Sequence, residues 1–317
     1  KLFITGKGRC NITNDSDVEN HLNHVISNPK FMYSAFYSFD SSRMIDFLEQ
    51  EGLAVKTERG NRVFPQSDKS SDVLQTLQKA LRRRNVTVRL HTKMTGLMIE
   101  DHICKGVKVQ SYHGALETLT ADDVILTTGG LAYPSTGSTG DGHRLLKQAG
   151  VALEPCYPAL VPVETVEEWP IRLQGLSLRN VSLRVERGSH KIYEEQGEML
   201  FTHFGVSGPL VLSASSLLGR KGAKDCKLHI DLKPALSEEQ LDERLQRDFA
   251  AQKNSMFKNS LGKLLPSKLI PVIVELSEIT PDKQVNEVTR QERHRLVKLC
   301  KDLTLSLIHI SEPTRPY

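Results

Sequence analysis

The residues between Val124 and His143, VILTTGGLAYPSTGSTGDGH, hold the chain's densest run of groups able to do chemistry through the backbone. Val124 to Thr128 are apolar or β-branched, a composition that predicts a buried strand. Gly129 and Gly130 follow, then a loop carrying Pro134, Gly137, Gly140 and Gly142, then an amphipathic run His143 to Ala149 stopped by Gly150. A strand, a glycine-rich turn and a helix start form a place where main-chain N–H groups face an anionic or polar ligand, and glycine lets that ligand lie against the backbone. The same pattern also suits a tight strand-to-helix connection with no ligand. Its spacing is not G-x-G-x-x-G, so alone it does not specify a dinucleotide.

Two other stretches carry chemistry-bearing residues. Gly6 to Asn14, GKGRCNITN, sets Arg9, whose guanidinium fork suits phosphate, beside Asn11, Thr13 and Asn14. An Asx-rich turn explains the same residues without a ligand. Glu198 to Pro209, EMLFTHFGVSGP, reads as a strand, a turn with Gly205 and Gly208, and Pro209 opening the apolar helix LVLSASSLL. His203 sits at the strand end, where an imidazole, ordinarily titrating near neutrality, serves either as a proton donor or as a structural residue.

Bulk properties narrow the classes. The chain has 317 residues, enough for two domains, with 38% hydrophobic and 25% charged residues, a soluble globular balance. A net charge of +4 does not argue for nucleic acid, and Arg82-Arg83-Arg84 ends a predicted helix where cations suit the dipole. No apolar run approaches the roughly 18 residues of a membrane span. The five cysteines are scattered and form no C-x-x-C pair, so neither a metal site nor a disulfide framework is indicated, and a reducing, cytoplasmic setting is expected. The chain opens at Lys1 without Met, and Leu305 to Tyr317 reads as a translated sequencing-library adapter, a non-native tail set aside from the fold.

The elements that must position these stretches follow from periodicity. Leu2 to Thr5 reads as a strand end. Asp40 or Ser41 caps a helix to about Glu51. Leu53 to Thr57 and Arg62 to Phe64 form a hairpin ended by Pro65, and Ser70 or Ser71 caps a helix over Asp72 to Arg84. Val86 to Leu90, Gly96 to Glu100, Gly106 to Gln110 and Ala115 to Leu119 read as short strands. With the strand at Val124 they predict a parallel sheet bearing a small antiparallel meander. After Gly150, closely spaced prolines (Pro155, Pro158, Pro162, Pro170) mark entry to a second, β-rich unit. There Leu178 to Val185 alternates, Lys191 to Glu194 and Glu198 to Thr202 flank a turn at Gln196-Gly197, and Lys227 to Leu232 is another strand. Helices follow from a capping box at Ser237 and Gln240, over Ser267 to Glu278, from Pro281, and over Glu292 to Leu303.

Taken together and in this order, GKGRCNITN, TTGGLAYPSTGSTGDGH and GEMLFTHFGVSGP resemble the BaiN-like, aminoacetone-oxidase-type family of NAD(P)/FAD-dependent oxidoreductases, over Lys1 to Thr304. The resemblance implies an α/β fold, a doubly wound FAD-binding domain over residues 1–156, with an inserted β-barrel-like and helical domain over 157–304 and the tail over 305–317. It implies FAD as cofactor, with Arg9, Asn11 and Asn14 along it, Thr128, Gly129 and Gly130 beneath its nucleotide portion, and Thr136, Gly137, Ser138, Thr139, Gly140, Asp141 and Gly142 near the ribityl chain and ring. NAD(P)H is the implied electron partner and a small organic molecule the substrate, with no nucleic acid, membrane or metal. Within this reading His203 is the candidate catalytic proton donor and Tyr133 the second candidate. The family's opening strand with G-x-G-x-x-G, and its closing glycine-rich segment, have no counterpart here. Action on RNA, or a fragment that binds no cofactor, are the alternatives.

Overall fold

The computed structural model describes residues 1–310 and divides the chain into two compact units, meeting in sequence at Glu154 and Pro155.

In the first unit, a broken 3₁₀ stretch over Leu2–Gly8 leads to β1 (Thr13–Asn14), then α1 (Val18–Asn23), α2 (Pro29–Ser38) and α3 (Ser41–Gln50). The hairpin β2 (Val55–Glu58) and β3 (Arg62–Pro65) precedes α4 (Ser70–Arg83). The meander β4 (Thr92–Glu100), β5 (Ile103–Ser111) and β6 (Leu116–Thr120) precedes α5 (Asp141–Gln148). Asp40 caps α3 by accepting from the Arg43 amide, as the sequence predicts. The two sheets run β1-β3-β2 and β4-β5-β6. Cys10, Leu48, Leu53 and Val73 form a small core under the first sheet, with Ile12, Met44, Phe47, Val55 and Leu77 packed against it.

The second unit is a closed antiparallel barrel with helices packed into one continuous apolar core. It opens with β7 (Val163–Thr165) and the short α6 (Trp169–Arg172). The long strands β8 (Ser177–Arg187) and β9 (His190–Phe201) pair with each other, and β10 (Gly205–Ser207) leads into α7 (Pro209–Leu218). After β11 (Cys226–Asp231) come α8 (Glu238–Ala250), α9 (Ile270–Leu276) and α10 (Arg290–Lys301), then β12 (Leu303–Ile310). Barrel order is β10-β7-β12-β11-β8-β9, with β9 pairing β10 to close it. Closure removes free strand edges, and alternation sends Val181, Leu183, Val185, Leu228, Ile230, Leu303, Leu305 and Leu307 inward. Reciprocal capping boxes start α8 at Ser237/Gln240 and α10 at Thr289/Glu292.

Several expectations are corrected. Every ladder among the described residues is antiparallel, so the parallel strands expected of a doubly wound sheet are not formed there. Val124–Thr128 forms no strand: Val124 and Leu126 are half-buried while Ile125 is 86% exposed. A β-rich composition sets up a strand, but a strand forms only against another. Val86–Leu90 likewise forms no strand and is exposed, and Leu2–Thr5 lies in the 3₁₀ stretch. Gln196 and Gly197 lie inside β9, paired with Ser182 and Val181; the hairpin turns instead between Arg187 and His190. Pro281 sits in a turn. Leu305 to Ile310, expected outside the fold, continue β12, because their alternation LSLIHI supplies the inward leucines that the barrel requires. The remainder of that expected tail, 311–317, lies outside the described residues.

Candidate functional site: a glycine loop and a braced turn

The loop from Gly130 to Gly140 closes on itself, the Gly140 amide donating to the Gly130 carbonyl at 3.2 Å. Within it, Pro134–Thr136 makes one 3₁₀ turn, and both the amide and the hydroxyl of Thr136 donate to the Tyr133 carbonyl, at 3.0 and 2.7 Å. The backbone turns left-handed at Gly129, Tyr133, Gly137 and Gly140, and Tyr133 is the one of these carrying a side chain. Lys1 Nζ donates to the Ala132 carbonyl (3.1 Å) and to Oγ of the buried Ser138 (2.6 Å), pinning the loop from below.

The glycines divide into two kinds. A Cβ at Gly140 would lie 2.5 Å from Leu131 Cδ2, one at Gly142 2.5 Å from Thr128 Oγ1, and one at Gly129 3.0 Å from Ser138 Oγ, so these three are explained by internal packing. At Gly130 and Gly137 a Cβ would meet nothing within 4 Å. These two leave bare backbone facing open space, where a flat ligand could lie against the main chain.

The helix start beyond the loop carries its own anion. Asp141 Oδ1 accepts from Arg144 (3.1 Å), Oδ2 accepts from Thr139 Oγ1 (3.2 Å), and Lys93 Nζ stands 3.9 Å away. The Arg144 hydrogen bond, then Thr139 and the charge of Lys93, hold the Asp141 carboxyl below the usual carboxylate range. With a carboxylate on its first turn, α5 favours a neutral polar group over phosphate. Tyr133 is 66% exposed.

The Gly6–Asn14 segment is structured by its own contacts. Arg9 donates from both terminal nitrogens to Glu58 (2.9 and 3.2 Å) and from Nη1 to Asp68 (3.1 Å), with Cζ 3.9 Å from the centroid of the Phe64 ring. Lys56 completes the network, 2.6 Å from Asp68 and 3.8 Å from Glu58. Asn11, its amide nitrogen assigned by the surrounding acceptors, donates to the Thr13 and Val63 carbonyls at 3.1 and 3.3 Å. Asn14 Nδ2 donates to the Gly60 carbonyl at 2.9 Å. Sequence reading missed Lys56, Glu58 and Asp68. The available signal was the two-residue spacing of Lys56 and Glu58, which puts both charges on one face of β2.

In the second unit, His203 is exposed on the turn between β9 and β10, its ring edge-on to Phe204 at 4.7 Å between centroids. The glycines of that motif serve the barrel. A Cβ at Gly205 would stand 2.3 Å from the Val163 carbonyl, and one at Gly208 2.9 Å from the Leu200 amide. The structure thus gathers Thr128–Gly142 around Lys1, gathers Arg9, Asn11 and Asn14 on the β2–β3 hairpin, and sets His203 in the other unit. Among the described residues no group of three or more His, Cys, Asp or Glu could hold a metal, and no helix is long and apolar enough to cross a membrane.

A glycine-rich loop running into a helix start, in an α/β unit, is the kind of element that Rossmann-type domains use, and the chain belongs to the HI0933-like Rossmann-domain family, which matches it over residues 1–295. Among its relatives, the chain is 28% identical over 309 residues to the 3-dehydro-bile acid delta(4,6)-reductase of Clostridium scindens, covering 97% of this chain and 73% of that protein. It is 28% identical over 308 residues to the ribosomal RNA dihydrouridine synthase of Escherichia coli (95% and 71% covered). It is 24% identical over 298 residues to the enzyme of the same name from Haemophilus influenzae (94% and 70%).

Proposed function

We propose that the chain is the greater part of an FAD-dependent oxidoreductase that takes hydride from NAD(P)H and reduces a small organic substrate at a carbon–carbon double bond conjugated to a carbonyl. The single observation that carries this is the loop Thr128–Gly142, with bare backbone at Gly130 and Gly137, in a chain of the Rossmann-domain family. The relatives' names supply the bond. A 3-dehydro-Δ4,6 compound and a uridine both hold a double bond conjugated to a carbonyl, and a reductase of the first and a synthase of dihydrouridine both saturate one. Family membership also supports the doubly wound arrangement for the whole FAD domain.

The residues present fit the flavin's ring and ribityl portion. The bare backbone of Gly130 and Gly137, the exposed Thr139 and the α5 start at Asp141 would line it, in keeping with an uncharged polar group, while the Thr128 and Ser138 hydroxyls pack inside the loop. Bound there, the flavin supplies a hydride acceptor and donor. Tyr133, carried on the same loop, and His203, on a turn of the other unit, are separate candidates for a group that holds or moves a proton.

The test is direct. The purified chain should carry or take up flavin with its visible absorbance, and oxidise NADH or NADPH only when a conjugated enone is supplied. A chain that binds no flavin would sink the reading and leave a cofactor-free fragment. A second reading, reduction of a base in RNA, draws on the names of two relatives. It requires binding of RNA that weakens steeply with salt.

A further inference from the structure

We propose that Arg9 is a positioning residue: clamped by Glu58 and Asp68 across the Phe64 ring, it fixes the strained Gly6–Cys10 turn, which the family resemblance sets along the cofactor, and is not itself an anion ligand. The inference rests on the flavin reading above. Four residues of this short turn, Gly6, Lys7, Gly8 and Cys10, have positive φ, and two of them bear side chains, so the turn is held against its local preference. It has little slack, since a Cβ at Gly6 would lie 2.7 Å from the Asn11 amide. What restrains it is Arg9, the one residue of the turn that reaches the hairpin through paired, planar hydrogen bonds. Behind the guanidinium lies the ring of Phe64, buried at 3% exposure.

The charge balance argues against a phosphate role. Arg9 and Lys56 are matched by Glu58 and Asp68, so the cluster presents no net positive field to an anion. The Arg9 hydrogen bond lowers the Glu58 carboxyl below its usual range, and Lys56 first, then Arg9, does the same for Asp68. Both carboxylates are therefore ionised and engaged at neutral pH. All four side chains are between about a quarter and two-fifths exposed, so the network adds little to global stability and acts locally.

Cys10, buried at 3% in the clamped turn, is a built-in reporter. Native Glu58→Gln and Arg9→Met chains are alkylated with iodoacetamide without flavin and followed peptide by peptide, with buried Cys300 of the other unit as the internal control. Release of the clamp raises Cys10 labelling about tenfold in both variants and leaves Cys300 unchanged. In parallel, dissociation constants are measured for FAD and for riboflavin, which lacks the phosphates. The positioning role weakens both flavins in both variants, and the double variant is no worse than either single one. Unchanged Cys10 labelling overturns the clamp. Loss of FAD but not riboflavin binding in Arg9→Met, with tighter FAD binding in Glu58→Gln, overturns it in favour of a phosphate ligand. If the unsubstituted chain binds neither flavin, the proposed function and the cofactor half of this inference fall together, while Cys10 labelling still decides the clamp.

Discussion

Leu305→Ala tests whether the last strand belongs to the barrel. Leu305 is fully buried, pairs with Leu228 across β11 and β12, and points into the same core as Leu303 and Leu307. The substitution removes three carbon atoms, which at about 0.8 kcal/mol for each buried methylene gives about 2.4 kcal/mol of lost transfer energy. The cavity left behind adds to that, so the expected loss is about 3 kcal/mol. Ile308→Ala, on a side chain that is 52% exposed, is the matched control and should change stability by less than about 0.5 kcal/mol. The single tryptophan makes the assay specific: Trp169 is buried in the barrel core, 5.9 Å from the Phe201 ring, so its fluorescence reports the second unit alone. With a urea slope of about 2 kcal/mol/M, the Leu305→Ala midpoint should fall by about 1.5 M at an unchanged slope. A midpoint equal to that of the Ile308→Ala chain would refute the placement of β12 in the barrel and restore Leu305 onward as an appended tail.

Gly205→Ala should cost the second unit more than about 2 kcal/mol by the same fluorescence assay, because its Cβ would press on the Val163 carbonyl where β10 joins β7. Asp242 is held below the usual carboxylate range mainly by its paired hydrogen bonds to Arg293, which tie α8 to α10. A carboxyl depressed in the folded state stabilises above its unfolded pKa of about 3.9, and that contribution vanishes as pH falls through the lower folded value. Asp242→Asn should therefore be destabilised relative to the unsubstituted chain at pH 7 and indistinguishable from it at the acid end of a urea–pH series. On the proposed function, His203→Ala or Tyr133→Phe lowers turnover by about a hundredfold and removes one limb of the pH–rate profile; unchanged profiles in both would end their candidacy as proton donors.

Local signals were legible wherever a short-range rule decides the outcome. The capping box at Ser237, the Asp40 cap and the β2–β3 hairpin each depend on residues a few positions apart. The failures share a different cause. Val124–Thr128 and Val86–Leu90 have strand composition, but whether they pair depends on partners elsewhere in the chain. Gly197 mimics a turn residue, yet it is small because α7 crosses β9 there and Leu210 lies 3.2 Å from where its Cβ would be. Leu305 lies in a stretch that reads as a translated adapter, yet burial responds only to alternation.

The glycines show why the candidate site was harder to read than the fold. The three motifs look alike in sequence, each a cluster of glycine with small polar residues, but their glycines answer to different demands. Gly205 and Gly208 admit neighbouring barrel strands, Gly6 and Gly8 permit a left-handed turn, and Gly129, Gly140 and Gly142 make room for Ser138, Leu131 and Thr128. Gly130 and Gly137 of the central loop have open space where a side chain would stand, and Gly130, unlike the left-handed Gly137, has no internal reason to be bare. Alanine at Gly130 and at Gly142 separates the roles. Gly130→Ala, whose φ is not positive, should leave the fold intact and weaken flavin binding by the bulk of a single methyl group, whereas Gly142→Ala should perturb the loop through Thr128 whether or not flavin is present. Equal flavin affinity in Gly130→Ala and the unsubstituted chain would move the cofactor face away from this loop.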